Sequence, residues 1–160
     1  MVGIAPLTFA QDEPGADGAI PRTTWVFVRH AEREGSKDEL SSAGEKRAQQ
    51  LARLAKLLKV SAVYSTDYKR TRNTAAPTCE QLGQRLEIYR RTSPEWIRKL
   101  EEKHSGGVIL VVGHSNTTGA LAGAAAEREA IKIGHDDYDN IFIVQVDDFG
   151  RSLVQLKFGD

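Results

Sequence analysis

The sequence predicts one α/β domain, a three-layer sandwich with a mostly parallel central sheet, helices on both faces and a C-terminal antiparallel hairpin. Short apolar or β-branched runs alternate with helical patterns along the chain, which is the order of βαβ units. Residues 108–112 are apolar at every position, as expected for a strand that is covered on both faces. Two further strand-like runs follow, joined by the turn sequence of residues 147–150.

The first half of the chain has the pattern strand, helix, strand, helix. Residues 23–28 are β-branched and aromatic, and they predict a buried strand. Ser42 followed by Glu45 has the pattern of a capping box, and apolar residues at spacings of three and four predict a helix over about 42–58. A second short strand over residues 60–64 leads to Ser-Thr-Asp at 65–67, which can cap the next helix.

The second half continues the alternation. Ser93 is placed to cap a helix whose first residue is Pro94, a position that proline favours. The remaining patterns predict an Ala-rich helix over residues 115–126 and strands over residues 86–89, 108–112, 141–146 and 152–158. The sequence therefore predicts six strands and four helices.

The composition limits the classes of function. The chain has 160 residues, of which 28% are charged and 40% hydrophobic, as in an ordinary globular domain without a membrane-spanning segment. Lys plus Arg and Asp plus Glu are equal at 22 each, so no overall positive charge favours nucleic acid. A single cysteine excludes an intramolecular disulfide and a cysteine-based metal site. The oligomeric state stays open.

Residues 1–22 are interpreted as a flexible segment that precedes a domain over residues 23–160. Residues 1–10 are mostly small or apolar and resemble the end of a secretory signal, but no Lys or Arg precedes Arg22. A shortened export signal and a disordered tail are both consistent with this pattern. An extracytoplasmic and a cytoplasmic location therefore both stay open.

Three predicted strands end in residues that can bind an anion. The first ends at Arg29-His30, the second leads to Arg70, and the apolar strand leads to His114, with Asn116 two residues further on. Because ligands of open α/β sheets bind outside the carboxyl ends of the strands, we expect these side chains to face one crevice.

This set of side chains suits a phosphoryl group. Arginine offers a planar fork of donors that matches phosphate oxygens, and a helix starting at Ser115 would add free backbone N–H groups. Two arginines and one histidine can neutralise developing charge without a metal ion, which leaves the other histidine as a nucleophile. His104 and His135 are isolated from other potential ligands and are interpreted as surface residues, so no metal site is expected.

Four segments, in order, resemble the motifs of the histidine phosphatase superfamily. They are residues 28–32 with the Arg-His pair, residues 40–48 at the first helix, residues 64–75 with Arg70 and residues 111–116 with the second His. The resemblance extends over roughly residues 24–158 and is closest to a small, single-domain member of the phosphoglycerate mutase-like branch. It implies His30 as the nucleophile, with Arg29, Arg70 and His114 binding phosphate. Asn116, two residues after His114, is a further candidate for phosphate binding.

The predicted function is a metal-independent hydrolase of phosphoric esters, of the phosphomonoesterase type, that works without a cofactor through a phosphohistidine at His30. Its substrate would be a phosphorylated small molecule or a phosphoprotein. Phosphoglycerate mutase-like transfer and a non-catalytic domain that binds a phospholigand are the alternatives. The short stretch between Arg70 and His114 leaves little room for the insertion with which mutases of this superfamily recognise substrate.

The residue that protonates the leaving group stays open. The stretch between the second Arg and the second His, where larger superfamily members have this acid, contains Glu95, Glu101 and Glu102. Glu32 follows the nucleophile by two residues. Asp136 and Asp137 precede the terminal hairpin. Glu32, Glu95, Asp136 and Asp137 are the candidate acids, and for Glu95 a favourable interaction with the helix dipole in the first helical turn is an equally good explanation.

Overall fold

The computed structural model describes residues 21–90 and 92–159, so the segment interpreted as an export signal or a tail lies almost entirely outside the described residues. The described chain forms β1 (Thr23–Arg29), α1 (Ser42–Leu57), β2 (Ala62–Ser65), α2 (Lys69–Leu82), β3 (Leu86–Ile88), α3 (Pro94–Lys103), β4 (Val108–Gly113), α4 (Thr118–Ala125), β5 (Asn140–Asp147) and β6 (Gly150–Lys157). Among these residues, no helix combines the length and the apolar character needed to cross a membrane.

The six strands form one sheet in the order β3-β2-β4-β1-β5-β6. The first four strands of this order are parallel to one another. Strand β5 pairs antiparallel with β1 and forms the terminal hairpin with β6. The predicted α/β class and the predicted C-terminal hairpin are both confirmed.

Helices cover both faces of the sheet, and the side chains of β1 alternate between the two cores. Trp25 and Phe27 are fully buried on the face covered by α3 and α4. Val26 and Val28 are buried on the opposite face, against α1 and α2. Burial of each large apolar side chain contributes about 1.5–3 kcal/mol, so both layers hold the centre of the sheet in place.

Helix α1 begins where the sequence predicts, but its cap is Ser41 rather than Ser42. The Ser41 hydroxyl accepts a hydrogen bond of 3.2 Å from the backbone N–H of Gly44. Ser42 is already the first helical residue, so the predicted capping box is wrong by one position. The predicted caps of α3 are confirmed, because Ser93 accepts a bond of 3.1 Å from Trp96 and Pro94 opens the helix.

Helices α2 and α4 begin later than predicted. No side chain of residues 65–67 caps α2; the carboxylate of Asp38, from a distant loop, accepts a bond of 3.0 Å from the backbone N–H of Lys69. Helix α4 begins at Thr118 rather than Ser115, because residues 114–117 form a turn closed by two hydrogen bonds to the carbonyl of His114. The predicted helix start directly beside His114 is therefore wrong.

The strand register aligns the three predicted site segments. Arg29 of β1 pairs with Gly113 of β4, and Ser65 of β2 pairs with Val112 of β4. Because β4 lies between β1 and β2, the next residues of all three strands lie side by side at the carboxyl end of the sheet. These residues include His30 and His114.

Candidate active site

The three strand ends line one open cleft of about 490 Å³. Arginines and histidines dominate its wall. The lining residues are Arg29, His30, Arg33, Thr66, Tyr68, Arg70, Arg90, His114, Ser115, Asn116, Thr117 and His135. The structure therefore brings together all five residues that the sequence predicts to form the phosphate site.

His30 lies at the floor of the cleft with 4% of its surface exposed. Its backbone N–H donates to the carbonyl of Gly113, which anchors it to β4 with a bond of 2.8 Å. Its Nδ1 lies 2.8 Å from the carbonyl oxygen of Ala31. Because a carbonyl oxygen only accepts, we assign the ring hydrogen to Nδ1, which leaves the lone pair on Nε2.

His114 is oriented by two side-chain contacts. Its Nε2 lies 2.9 Å from the hydroxyl of Thr66, and its Nδ1 lies 3.3 Å from Nη2 of Arg70. A guanidinium only donates, so Nδ1 of His114 accepts and Nε2 carries the hydrogen. The rings of His30 and His114 are 5.5 Å apart and meet edge to face.

Both imidazoles are held in the neutral form. Burial and the nearby positive charges of Arg29 and Arg70 lower the pKa of His30 to about 4, and they outweigh the bond to Ala31, which raises it. Burial together with the nearby charge of Arg70 lowers the pKa of His114 to about 4. A neutral imidazole at pH 7 is the form that can act as a nucleophile.

Arg29 joins the end of β1 to a loop before the hairpin. Its Nη1 donates to the carbonyl oxygens of Gly134, His135 and Asp137, at 3.3, 2.6 and 3.2 Å. Its guanidinium also lies 3.9 Å from the ring centre of Tyr138. Only 3% of the surface of Arg29 is exposed, so this contact set fixes both the arginine and the loop.

Arg70 is fixed from two sides. Its Nη1 donates to the carboxylate of Asp38 at 2.6 Å, and its guanidinium lies 4.4 Å from the ring centre of Tyr68. Thr74, one turn further along α2, accepts a bond of 2.9 Å from the backbone N–H of Ala31 and donates one of 2.7 Å to the carbonyl of Arg70. The segment that follows His30 is thereby tied to the helix of Arg70.

The described residues that line the cleft include arginines with unpaired N–H groups, but no carboxylate. In the part of the chain that the structure describes, the Nε atoms of Arg29, Arg33 and Arg70 are buried without a hydrogen-bond partner. No Asp or Glu is among the described residues that line the cleft. Buried guanidinium N–H groups need acceptors, and an anion with several oxygens supplies them.

The four candidate acids lie outside the wall of the cleft. Glu32 receives hydrogen bonds of 2.7 to 3.0 Å from Arg47. Burial alone would raise the pKa of Glu32, but these bonds and the charge of Arg47 outweigh it and lower that pKa. Glu95 is exposed and pairs with Lys99. Asp136 is exposed, and the carboxylate of Asp137 accepts a bond of 3.0 Å from Gly134.

The other two glutamates of this stretch also point elsewhere. Glu101 accepts bonds from the buried Trp25 and from Arg151, at 3.0 and 2.7 Å. Glu102 pairs with Arg98 in the same helix. Among the described residues, no group of three or more His, Cys, Asp or Glu lies together in a way that could hold a metal ion.

Sequence reasoning missed several residues that shape the cleft. Asp38 and Tyr138 reach Arg70 and Arg29 from distant loops, and no local pattern marks them. His135 lines the cleft although the sequence interpretation gives it no role. Thr66 was detectable, because it directly follows a predicted strand that leads to the site.

The fold and the cleft define an α/β protein with two histidines and a group of arginines at the carboxyl ends of parallel strands. Residues 25–93 match the model of the histidine phosphatase superfamily (branch 1). This match includes Arg29, His30 and Arg70, and the structure places His114 beside them. Over residues 25–93 the chain is similar to the histidine phosphatase superfamily.

Solved structures share this fold at low sequence identity. Phosphoserine phosphatase of Entamoeba histolytica, in complex with 3-phosphoglyceric acid, has a TM-score of 0.68 and 14% identity over 86% of this chain and 98% of its own. Phosphoglycerate mutase of Plasmodium falciparum has a TM-score of 0.55 and 23% identity over 87% and 91%. A proposed phosphohistidine phosphatase, SixA, of Agrobacterium tumefaciens has a TM-score of 0.57 and 18% identity over 85% and 98%. No curated protein sequence matches this chain significantly.

Proposed function

We propose that this protein is a metal-independent phosphohydrolase of the phosphomonoesterase type that works through a phosphohistidine at His30. One observation carries the proposal: the bond from Nδ1 of His30 to the Ala31 carbonyl leaves the Nε2 lone pair free in the arginine-lined cleft. Substrates of the superfamily neighbours, among them phosphoserine phosphatase and a phosphoglycerate mutase, are phosphorylated compounds.

In the first step, Nε2 of His30 attacks phosphorus while the bond to the leaving oxygen breaks. Arg29 and Arg70, which line the cleft, contribute guanidinium N–H groups to the phosphoryl oxygens, where negative charge is concentrated. Asn116, which also lines the cleft, adds its side-chain amide as a donor, while His114 holds Arg70 by accepting a hydrogen bond from its Nη2. Ala31 and Gly113 orient His30 through hydrogen bonds. Both bonds persist throughout the reaction because only Nε2 of His30 reacts.

In the second step, water attacks the phosphohistidine and releases inorganic phosphate, which restores the free imidazole. The cleft is open to solvent and lined by polar side chains, so water can enter it. A mutase has to exclude water while its intermediate reorients, so the open cleft favours hydrolysis. The substrate is a phosphorylated small molecule or a phosphoprotein whose phosphoryl group can reach the floor of the cleft.

The nucleophile is tested with the variant His30→Asn, whose side-chain amide can still donate to the Ala31 carbonyl. With p-nitrophenyl phosphate in EDTA, we expect the wild-type protein to hydrolyse the ester. The rate of hydrolysis by His30→Asn should be lower by at least about a thousandfold, as expected when a covalent nucleophile is removed. Rapid quenching followed by intact mass measurement should show an acid-labile phosphoryl group on wild-type protein only.

Two results would contradict the proposal. Turnover by His30→Asn at near the wild-type rate would exclude His30 as the nucleophile. Turnover that disappears in EDTA and returns with a divalent cation would exclude the metal-independent route. Lys132→Gln, an exposed substitution in the segment before the loop of residues 134–138, is the control for nonspecific loss.

A further inference from the structure

The cleft lacks the usual kind of proton donor for a leaving group. Cleavage of an alkyl phosphate releases an alkoxide, which needs a proton as the P–O bond breaks. None of the described residues that line the cleft is an Asp or Glu. Apart from His30 and His114, which lie at the phosphate site, one further imidazole, that of His135, belongs to the described residues that line the cleft.

His135 lies on the side of the cleft where a leaving group has to depart. In phosphoryl transfer the attacking and leaving atoms lie roughly in line. The attacking imidazole of His30 is at the buried floor, with 4% of its surface exposed, so the leaving group points towards the mouth. His135 is one of the residues that line the cleft, and its side chain is 80% exposed.

The backbone of His135 is held by a residue of the phosphate site. Nη1 of Arg29 donates to the carbonyl oxygen of His135 at 2.6 Å and to that of Asp137 at 3.2 Å. The carboxylate of Asp137 closes the loop by accepting a bond of 3.0 Å from Gly134. The loop position is therefore fixed relative to the phosphoryl group through main-chain atoms, which any substitution at residue 135 retains.

The imidazole of His135 also has an orienting partner. Its Nδ1 lies 3.1 Å from a carboxylate oxygen of Asp136, so Nδ1 carries a hydrogen. Nε2 is then the ring atom available for proton exchange. An acid at this position starts the reaction as the imidazolium, in which both ring nitrogens carry a hydrogen.

We propose that His135 is a catalytic residue, the general acid for the leaving group; this rests on the phosphohistidine route proposed above. As the bond from Nε2 of His30 to phosphorus forms and the P–O bond breaks, the proton on Nε2 of His135 moves to the leaving oxygen and the alcohol departs. The neutral His135 then takes a proton from the water that attacks the phosphohistidine. Release of phosphate leaves His30 neutral and His135 protonated, as at the start.

The test compares leaving groups in His135→Gln. Methyl or ethyl phosphate requires a proton donor, whereas 2,4-dinitrophenyl phosphate releases a stable phenolate without one. We expect His135→Gln to lower kcat/KM for the alkyl phosphate by about 100-fold or more, the usual contribution of a general acid, and to change it less than about threefold for the dinitrophenyl ester.

This selectivity separates a chemical role from a structural one. A displaced loop would misplace Arg29 and lower the rates of both esters equally, and that outcome would overturn the proposal. Equal, unchanged rates for both esters would overturn it as well. Continued turnover of the dinitrophenyl ester by His135→Gln, with a phosphorylated His30, shows that the phosphohistidine route stands whatever the role of His135.

Two further variants complete the experiment. Asp136→Asn removes the orienting carboxylate. We expect it to lower kcat/KM for the alkyl phosphate by about tenfold, which is a weaker form of the same leaving-group selectivity. Tyr68→Phe removes the phenol that also lines the cleft. If Tyr68→Phe shows the selectivity and His135→Gln does not, the phenol is the acid and the proposal is wrong.

Discussion

At the scale of single residues, the candidate site depends on how each polar atom is already bonded. Nδ1 of His30 is bonded to Ala31 and Nδ1 of His114 accepts from Arg70, so each ring has a defined tautomer. Nη1 of Arg29 and Nη1 of Arg70 bond to protein groups, while both Nε atoms have no partner among the described residues. The guanidinium groups are thus held in place through their Nη1 atoms, and the function proposed above assigns their remaining donors to an anion.

Asp38 has two functions in this arrangement. Its carboxylate accepts from the backbone N–H of Lys69 at the start of α2 and from the guanidinium of Arg70. These bonds, which outweigh the effect of burial, lower the pKa of Asp38. We therefore interpret Asp38 as the residue that positions Arg70, from a loop that contains no predicted site residue.

Asp38→Ala should weaken phosphate binding, because Arg70 loses the carboxylate that orients it. We expect the Kd for inorganic phosphate, measured by calorimetry, to rise about tenfold, the usual effect of removing an orienting residue. Loss of the bond that caps α2 should lower the free energy of unfolding by about 1 kcal/mol. Asp67→Ala is the matched control, since among the described residues the carboxylate of Asp67 pairs with the exposed Arg72. Tighter phosphate binding by Asp38→Ala would show that Asp38 competes with the anion instead.

At the scale of elements, the two glycines of α4 decide where the next segment runs. A Cβ atom on Gly119 would lie 1.9 Å from the carbonyl oxygen of Ile131, and one on Gly123 would lie 2.4 Å from that of Glu129. The backbone of Ile131 also donates to the carbonyl of Gly119 at 3.1 Å. This close crossing leads the chain into the loop of residues 134–138 that Arg29 binds.

Gly119→Ala should therefore affect both stability and the site. The added methyl group meets backbone rather than a flexible side chain, so the segment has to move, and overpacking of this kind costs about 1–3 kcal/mol. We expect a lower midpoint of urea unfolding and slower hydrolysis of p-nitrophenyl phosphate. Ala124→Ser, at an exposed position of the same helix, is the control. An unchanged midpoint for Gly119→Ala would contradict the close crossing.

At the scale of the whole molecule, the two buried imidazoles couple the site to stability. The folded protein holds the pKa of His30 and that of His114 at about 4, against about 6.5 for an unperturbed histidine. Between these values the unfolded chain binds more protons than the folded one. The contribution of both histidines to stability is thus complete above about pH 6.5 and decreases as the pH falls towards 4.

This coupling predicts the pH dependence of unfolding. Between pH 7 and pH 4.5, the Tm of wild-type protein should decrease more than that of the double variant His30→Gln/His114→Gln, which has no imidazole to protonate at these positions. Differential scanning calorimetry of both proteins gives the comparison. Equal decreases would mean that the two histidines titrate normally in the folded protein. The carboxylates, which also titrate in this range, are common to both proteins and cancel in the difference.

The sequence by itself determined the order of the elements and the main site residues. A strand that is buried on both faces is recognisable as a continuous apolar run, as in residues 108–112. A polar strand end is recognisable as charged residues that follow a strand-like run, as in the Arg-His pair at residues 29 and 30. Since parallel strands place their carboxyl ends at one edge of the sheet, the sequence predicted that His30, Arg70 and His114 face one crevice.

Only the tertiary structure decided which residues orient the side chains of the site and which loop lies at the edge of the cleft. Asp38 caps α2 from a distant loop, and the loop containing His135 is fixed by Arg29, more than a hundred residues earlier in the chain. Such contacts depend on loop paths and on the close crossing at Gly119, which no periodicity or local motif encodes. The same distance between partners explains why the sequence left the proton donor open.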